Sequence, residues 1–165
     1  SQGKRWFMAT TSPSAVLRED TDIVLIGFPG YGVQPHENTL RNWTTSVVGE
    51  LRRTLGVSKK VFKTHDFRPW RANGIQVMDV DGIHTFNMLR WIRYDRKDPM
   101  VVVLCGPEAW KFKPAIEDAP DHILVILVDN PAFPVREYVK RFYGSNVFID
   151  ACEHLNKPKD IWRIL

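Results

Sequence analysis

The sequence predicts an α/β fold: a three-layer α/β/α domain around a central parallel sheet of about four strands. Three observations predict it. Short runs rich in Val, Ile and Leu, at residues 23–26, 100–104 and 123–128, show no polar alternation, as expected of strands covered on both faces. Segments with apolar residues at helical spacing separate these runs. The length of 165 residues, with 44% hydrophobic and 25% charged residues, suits one folded core and leaves little room for a second.

The elements follow in order. Residues 1–20 are polar and contain Ser, Thr and Pro, so they are expected to form a flexible N-terminal arm, with residues 21–165 as a single domain. Ile23-Val24-Leu25-Ile26 reads as a buried strand that ends in the glycine-rich loop Gly27-Phe28-Pro29-Gly30-Tyr31-Gly32. Leu40, Trp43, Val47, Leu51 and Leu55 recur at helical spacing, and Gly56 suits the C-cap. Residues 75–80 form a short strand candidate, and Ile83, Phe86, Leu89 and Ile92 mark an amphipathic helix. The strand at 100–104 lies between Pro99 and Gly106. Pro107 then fits the first turn of a helix carrying Ala109, Phe112 and Ile116. After the strand at 123–128, Pro134 opens a helix through Val135, Tyr138, Val139 and Phe142. A last strand at 147–149 leads into a short helix with Asp150 as N-cap.

Ligands on parallel sheets bind beyond the C-terminal strand ends, so function is sought in the loops after Ile26, Val80, Leu104 and Val128. Several chemistries fail there. The loop at 27–32 matches neither the Walker spacing nor G-x-G-x-x-G, and no G-x-S-x-G elbow occurs in the chain. The five histidines (His36, His65, His84, His122, His154) lack metal-ligand spacing, and Cys105 and Cys152 make neither a zinc set nor a disulfide framework. No metal or cofactor is therefore expected. Asp79 and Asp81 form a carboxylate pair without a partner base, and a solvated turn is their plainer reading. Asp129 and Asp150 are expected at the ends of neighbouring strands, but the first strand supplies no further acid.

Charge is unevenly placed. Between Arg41 and Arg71 lie eight basic residues (Arg41, Arg52, Arg53, Lys59, Lys60, Lys63, Arg68, Arg71) against Glu50 and Asp66, a net +6 in a chain of net +4. A solvated helix and loop explains such a stretch; so does contact with DNA phosphates. No apolar run reaches the roughly 20 residues that span a bilayer, so no membrane partner is expected.

The order of segments resembles the uracil-DNA glycosylase superfamily, most closely its family-1 enzymes, over nearly the whole chain from Asp22. Residues 69–80, Pro-Trp-Arg-Ala-Asn-Gly-Ile-Gln-Val-Met-Asp-Val, are similar to the family's W-A-x-Q-G-V-L-L-L-N-x-V segment. Residues 91–111, through Val101-Val102-Val103-Leu104-Cys105-Gly106-Pro107-Glu108-Ala109, are similar to its buried strand, glycine and x-x-A-x-K helix. Asn130-Pro131 through Gly144, Phe148, Glu153, Leu155 and Ile161-Trp162 follow its H-P-S-P-L-S loop and terminal I-D-W.

The resemblance implies a base-excision site and, residue by residue, a degenerate one. The family's first loop, G-Q-D-P-Y-H, uses a carboxylate to position water and offset the charge of an oxocarbenium-like sugar; Pro29 stands in that place. A histidine in the late loop stabilises the anionic base oxygen; here the residue is Asn130. The asparagine that reads the uracil edge is replaced by Asp79, whose ionised form only accepts hydrogen bonds. Tyr31 matches the residue that excludes a 5-methyl group, and Phe133 beside Pro134 stands near the minor-groove wedge. The mismatch-specific branch, with G-x-N-P-G and N-P-S-G loops, is also similar to residues 27–30 and 130–132, and that alignment removes the same catalytic group.

Three functional readings follow. The first is a pseudo-glycosylase: a non-catalytic scaffold binding a protein partner, DNA or both in a replication, repair or chromosome-associated complex. It is expected inside the cell, in the nucleus or at a site of DNA replication, and not as a secreted protein. Its vestigial cleft comprises Gly27, Phe28, Tyr31, Asn130, Pro131 and Phe133. DNA contact is assigned to Arg52, Arg53, Lys59, Lys60, Arg136, Lys140 and Arg141, and the exposed aromatics suit a protein contact. The resemblance adds that family-1 enzymes are bound by protein inhibitors at this cleft, and that a poxvirus member joins a replication partner. The second reading is an active glycosylase of altered specificity, with Asp79 or Asp81 as base and Asn130 as oxyanion donor. The third is a small-molecule-binding α/β domain unrelated to DNA, in which the loops at 27–32 and 130–131 do not share one cleft.

Overall fold

The four strands, β1 (Ile23–Ile26), β2 (Ile75–Met78), β3 (Met100–Cys105) and β4 (Ile123–Val128), form one parallel sheet ordered β2-β1-β3-β4. The computed structural model describes residues 17–27, 37–56, 68–131 and 141–163. The four residues of β1 pair Ile23 to Ile26 with Ile75 to Met78 on one side and with Val101 to Leu104 on the other. All four are fully buried, which explains the unbroken apolar run: helices cover both faces, so neither set of alternating side chains meets water.

Alternation divides the core. Ile23, Leu25, Val77, Val101 and Val103 face one side with Val47 and Leu51 of α1 (Glu37–Leu55), Trp70 of α2 (Arg68–Ala72), and Val147, Phe148 and Ala151 of α6 (Val147–Leu155). Val24, Ile26, Val102 and Leu104 face the other with Met88, Leu89 and Ile92 of α3 (Gly82–Asp95), Ala109 of α4 (Pro107–Trp110), and Ala115 and Ile116 of α5 (Lys113–Ile116). This is the three-layer arrangement expected. Gly56 ends α1 with φ +70° and its N–H on the Arg52 carbonyl at 3.0 Å, as a glycine C-cap does. Leu17 packs on the second core, and the Arg18 N–H donates to Gln76 Oε1 at 3.0 Å, so residues 17 and 18 of the expected arm lie against the sheet.

Four expectations are corrected. The second strand stops at Met78, two residues before Val80, so Asp79 and Asp81 are not on a strand. In α3 the buried residues are Thr85, Met88, Leu89 and Ile92, whereas Ile83 and Phe86 are exposed: Leu89 and Ile92 of the expected stripe face the sheet, and Thr85 and Met88 take the places expected of the other two. The helix from Pro107 does not run through Phe112 to Ile116 but breaks into α4 and α5. Pro114 lacks an N–H and its ring would clash with the carbonyl four residues back, on Trp110, where α4 ends. Finally, residues 147–149 are helical. Val147, Phe148, Ala151 and Cys152 form the buried face of α6, Asn146 precedes it with φ 61°, and Asp150 lies in its first turn and ends no strand. The helix expected from Pro134 falls mostly outside the described residues, although Phe142 is buried.

What starts α6 is a carboxylate from α1. The Glu50 side chain is fully buried and accepts four hydrogen bonds: Arg53 Nε and Nη2 at 2.9 Å each, and the backbone N–H groups of Gly144 and Asn146 at 2.7 Å each. Arg53 also donates to Asn146 Oδ1. Below this turn, Trp70, Phe148 and Trp162 stack edge to face, with centroids 5.2 Å apart for the tryptophans and 4.5 Å for Phe148–Trp162. Both indoles donate to backbone, Trp70 to the Trp162 carbonyl and Trp162 to the Phe148 carbonyl. Removing the carboxylate leaves two helix-entry N–H groups without their acceptor. Glu50→Ala is therefore expected to lose about 2–4 kcal/mol in urea unfolding. A loss below about 1 kcal/mol would show that the turn holds itself.

Candidate functional site

Because the strands are parallel, their C-terminal ends collect the loops after β1, β2, β3 and β4 along one edge. Two glycines let these loops close together. Gly27 extends β1, its N–H on the Met78 carbonyl at 2.9 Å, and takes φ +102°; a Cβ there would lie 2.2 Å from the Cys105 carbonyl oxygen. Gly106 follows β3 with φ +87° and donates to the Val128 carbonyl at 2.9 Å; a Cβ there would lie 2.7 Å from Asn130 Cβ. No other residue type fits either place without displacing the backbone or side chain opposite.

Asn130 sits over Gly106, and its Nδ2 points at the Gly27 carbonyl at a long 3.5 Å. Pro131 beside it is buried, as is Asp129, the last residue before the loop. The end of β1 at Gly27 and the first residue after Asp129, Asn130, therefore meet at one place; the rest of the expected cleft lies outside the described residues. Asp79 follows β2 and is exposed, and Asp81 precedes α3 with its N–H on Thr85 Oγ1 at 2.7 Å. Asp79 follows edge strand β2 and Asn130 follows the other edge strand, β4, with its side chain reaching back to the end of β1. Pro29, Phe28, Tyr31 and Phe133 lie outside the described residues.

A residue the sequence reading gave no role holds the two last strand ends. Trp110 Nε1 donates to the carbonyls of Leu104 at 3.2 Å and Val128 at 2.9 Å, bridging the exits of β3 and β4. Its signal in sequence is faint: a tryptophan one turn after a Pro-opened helix start. Cys105, between the glycines, is fully buried, and burial pushes its thiol well above the ordinary cysteine value. It therefore offers no nucleophile at neutral pH.

The expected DNA contacts divide. Arg52 is exposed on the last turn of α1, and Arg141 is exposed just before Phe142. Arg53 is engaged: its hydrogen bonds to Glu50 hold the guanidinium above its ordinary value. Lys59, Lys60, Arg136 and Lys140 lie outside the described residues. Among the described residues no group of three or more His, Cys, Asp or Glu is placed to hold a metal, and no helix is long and apolar enough to cross a membrane.

No protein family matches the chain, and no curated protein matches it. Solved structures do. The chain superposes on two single-substitution variants of mimivirus UNG, a uracil-DNA glycosylase, each in complex with UGI. One gives a TM-score of 0.60 at 16% identity over 87% of this chain and 69% of that chain. The other gives 0.61 at 16% identity over 95% and 73%. The fold is that of uracil-DNA glycosylases, as the resemblance implied.

Two outcomes are expected at this edge. Trp110→Phe removes a partly buried donor shared by two carbonyls, for an expected loss of about 1 kcal/mol. Amide exchange at Gly106 should quicken with it, and unchanged exchange would deny Trp110 its bridging role. The Cys105 thiol is raised in the folded state, so the unfolded chain ionises first. Stability is unaffected well below the ordinary thiol pKa of about 8.5 and falls as pH climbs above it. Denaturation midpoints from pH 7 to 10 should drop more steeply for the parent than for Cys105→Ala; parallel curves would exclude this thiol as the source.

Proposed function

We propose that this chain is a binding module that keeps the uracil-DNA-glycosylase fold without base excision, and that its strand-end edge meets DNA, a protein partner or both. The observation that carries this reading is Asp79. It closes the strand beside β1, where the resemblance places the asparagine that reads uracil, and it is an exposed carboxylate. An ionised carboxylate has no hydrogen to give a uracil carbonyl and repels it. Pro29 strengthens the reading, since it offers neither charge nor donor where the resemblance implies a carboxylate, and Asn130 keeps only a neutral hydrogen-bond donor. A place in a replication, repair or chromosome-associated complex inside the cell, with Arg52, Lys59, Lys60, Arg136, Lys140 and Arg141 on phosphates, goes with it. So does a protein partner; the mimivirus structures hold UNG with UGI.

The test is incubation with uracil- and mismatch-containing oligonucleotides followed by detection of abasic sites. None are expected. Excision that vanishes in Asp79→Ala would replace this reading with an altered-specificity glycosylase using Asp79 and Asn130. Binding to an undamaged duplex should weaken as salt rises. Neutralising Arg52, Lys59 and Lys60 together should lower the log–log salt slope by about one unit for each phosphate no longer neutralised. Arg53 is left in place because it holds Glu50. A salt-insensitive complex, or none, would leave the protein partner as the surviving role.

A further inference from the structure

The outer face of α3 carries what its inner face does not need. Thr85, Met88, Leu89 and Ile92 are buried toward the sheet, and on the opposite arc Ile83 is 63%, Phe86 39%, Trp91 47% and Tyr94 55% exposed. At about 100° per residue, Ile83, Phe86, Arg90, Arg93 and Tyr94 line one stripe with Trp91 on its flank. The arginines are arranged among the rings. The Arg90 guanidinium lies 5.7 Å from the Phe86 centroid and 4.9 Å from that of Tyr94, and Arg93 lies 5.0 Å from Tyr94. Cation–π attraction holds each guanidinium beside its rings, and its N–H groups can still take a carboxylate in two-pronged fashion. Among the described residues neither arginine is in an ion pair, although Arg53 pairs with Glu50, Arg96 with Asp22 and Lys111 with Glu108.

We infer that this stripe is a docking surface for an acidic amphipathic helix of another protein, distinct from the strand-end edge and independent of whether that edge excises bases. Trp, Tyr, Phe and Arg without Lys or Glu is the make-up of interface centres rather than of open surface. Charge selects the occupant. A second copy of this chain would set Arg90 and Arg93 against the same arginines across a two-fold axis, a like-charge contact. A nucleic acid strand would find two cations along a helix of about 21 Å, too few for its phosphate spacing, and an aliphatic Ile83 that no base needs. A helix with Asp or Glu at four-residue spacing beside apolar residues satisfies both features: its acids take the guanidinium edges and its apolar side covers Ile83, Phe86 and Trp91. A single helix on a single helix buries less than about 1,200 Å², so the contact is transient and micromolar.

The experiment uses the full chain as bait for random displayed peptides of roughly 16 residues, long enough to match α3. Enriched peptides should place acids and apolar residues at helical spacing. The best of them, synthesised and followed by fluorescence anisotropy, should bind about tenfold more weakly to Trp91→Ala and to Arg90→Glu. Arg90→Lys, which keeps the charge but not the fork, should weaken it by about threefold. A peptide with its acids exchanged for lysines should prefer Arg90→Glu over the parent. These positions are exposed, so the variants retain the core. Peptides without acids, binding unaffected by Trp91→Ala, or no enriched peptides would overturn the proposal. So would a dimer that Trp91→Ala dissolves in sedimentation, which assigns the stripe to a second copy. Binding of oligothymidylate that Arg90→Glu abolishes would assign it to single-stranded nucleic acid and overturn it equally.

Discussion

The four residues of β1 are the constraint on which the rest of the molecule depends. The strand is shared: β2 hangs from one side of it and the β3–β4 pair from the other. Such a short strand holds both neighbours only if it is fully buried and its hydrogen bonds continue at each end. Both conditions are met. The Asp22 carbonyl accepts the Val101 N–H at 2.9 Å at the entry, and Gly27 donates to Met78 at the exit. The entry is also pinned by charge, since Asp22 pairs with Arg96 at 3.3 Å and with Lys157 beyond α6. The exit is pinned by shape, because Gly27 lies so near the Cys105 carbonyl that no side chain fits. Stability therefore sits at one end of the sheet as ion pairs, and the other end is left as close-packed backbone on which loops of different chemistry are carried.

The basic segment gains a second meaning from Glu50. By composition, Glu50 is an interruption in a run of positive charge. Folded, it is the acceptor for four donors and the reason that α1 and the entry to α6 are fastened together. A buried carboxylate is tolerated only when its lone pairs are filled, and the price is one arginine, Arg53, removed from the set available to phosphate. Charge counts thus overstate what such a segment offers a partner.

A fold shared with mimivirus UNG does not carry the excision chemistry with it. The scaffold brings Gly27 at the end of β1 and Asn130 after β4 together through the close approaches of Gly27 and Gly106, while the Trp110 side chain bridges the ends of β3 and β4. The same frame can carry different side chains on its strand-end loops, and chemistry depends on those side chains rather than on the fold.

Some of this architecture is legible in the amino-acid order. The three strands covered on both faces are read to within one residue, because an unbroken apolar run between a proline or glycine boundary leaves few alternatives. The order of loops along the strand ends follows, since parallel strands must all point the same way. Three features needed the tertiary structure. Ile83 and Phe86 fit a helical stripe as well as Thr85 and Met88 do, and only packing on the sheet chooses between frames. Residues 147–149 are β-branched and aromatic enough for a strand, and become helical because Glu50, almost a hundred residues earlier, accepts the N–H groups that precede them. Trp110 is one tryptophan among six until two strand exits lie beneath it. Sequence alone determined which strand residues had to leave water, because an unbroken apolar run has no polar face to turn outward. Which polar groups would satisfy one another was decided only by folding, because hydrogen bonds join residues that nothing in the local sequence relates.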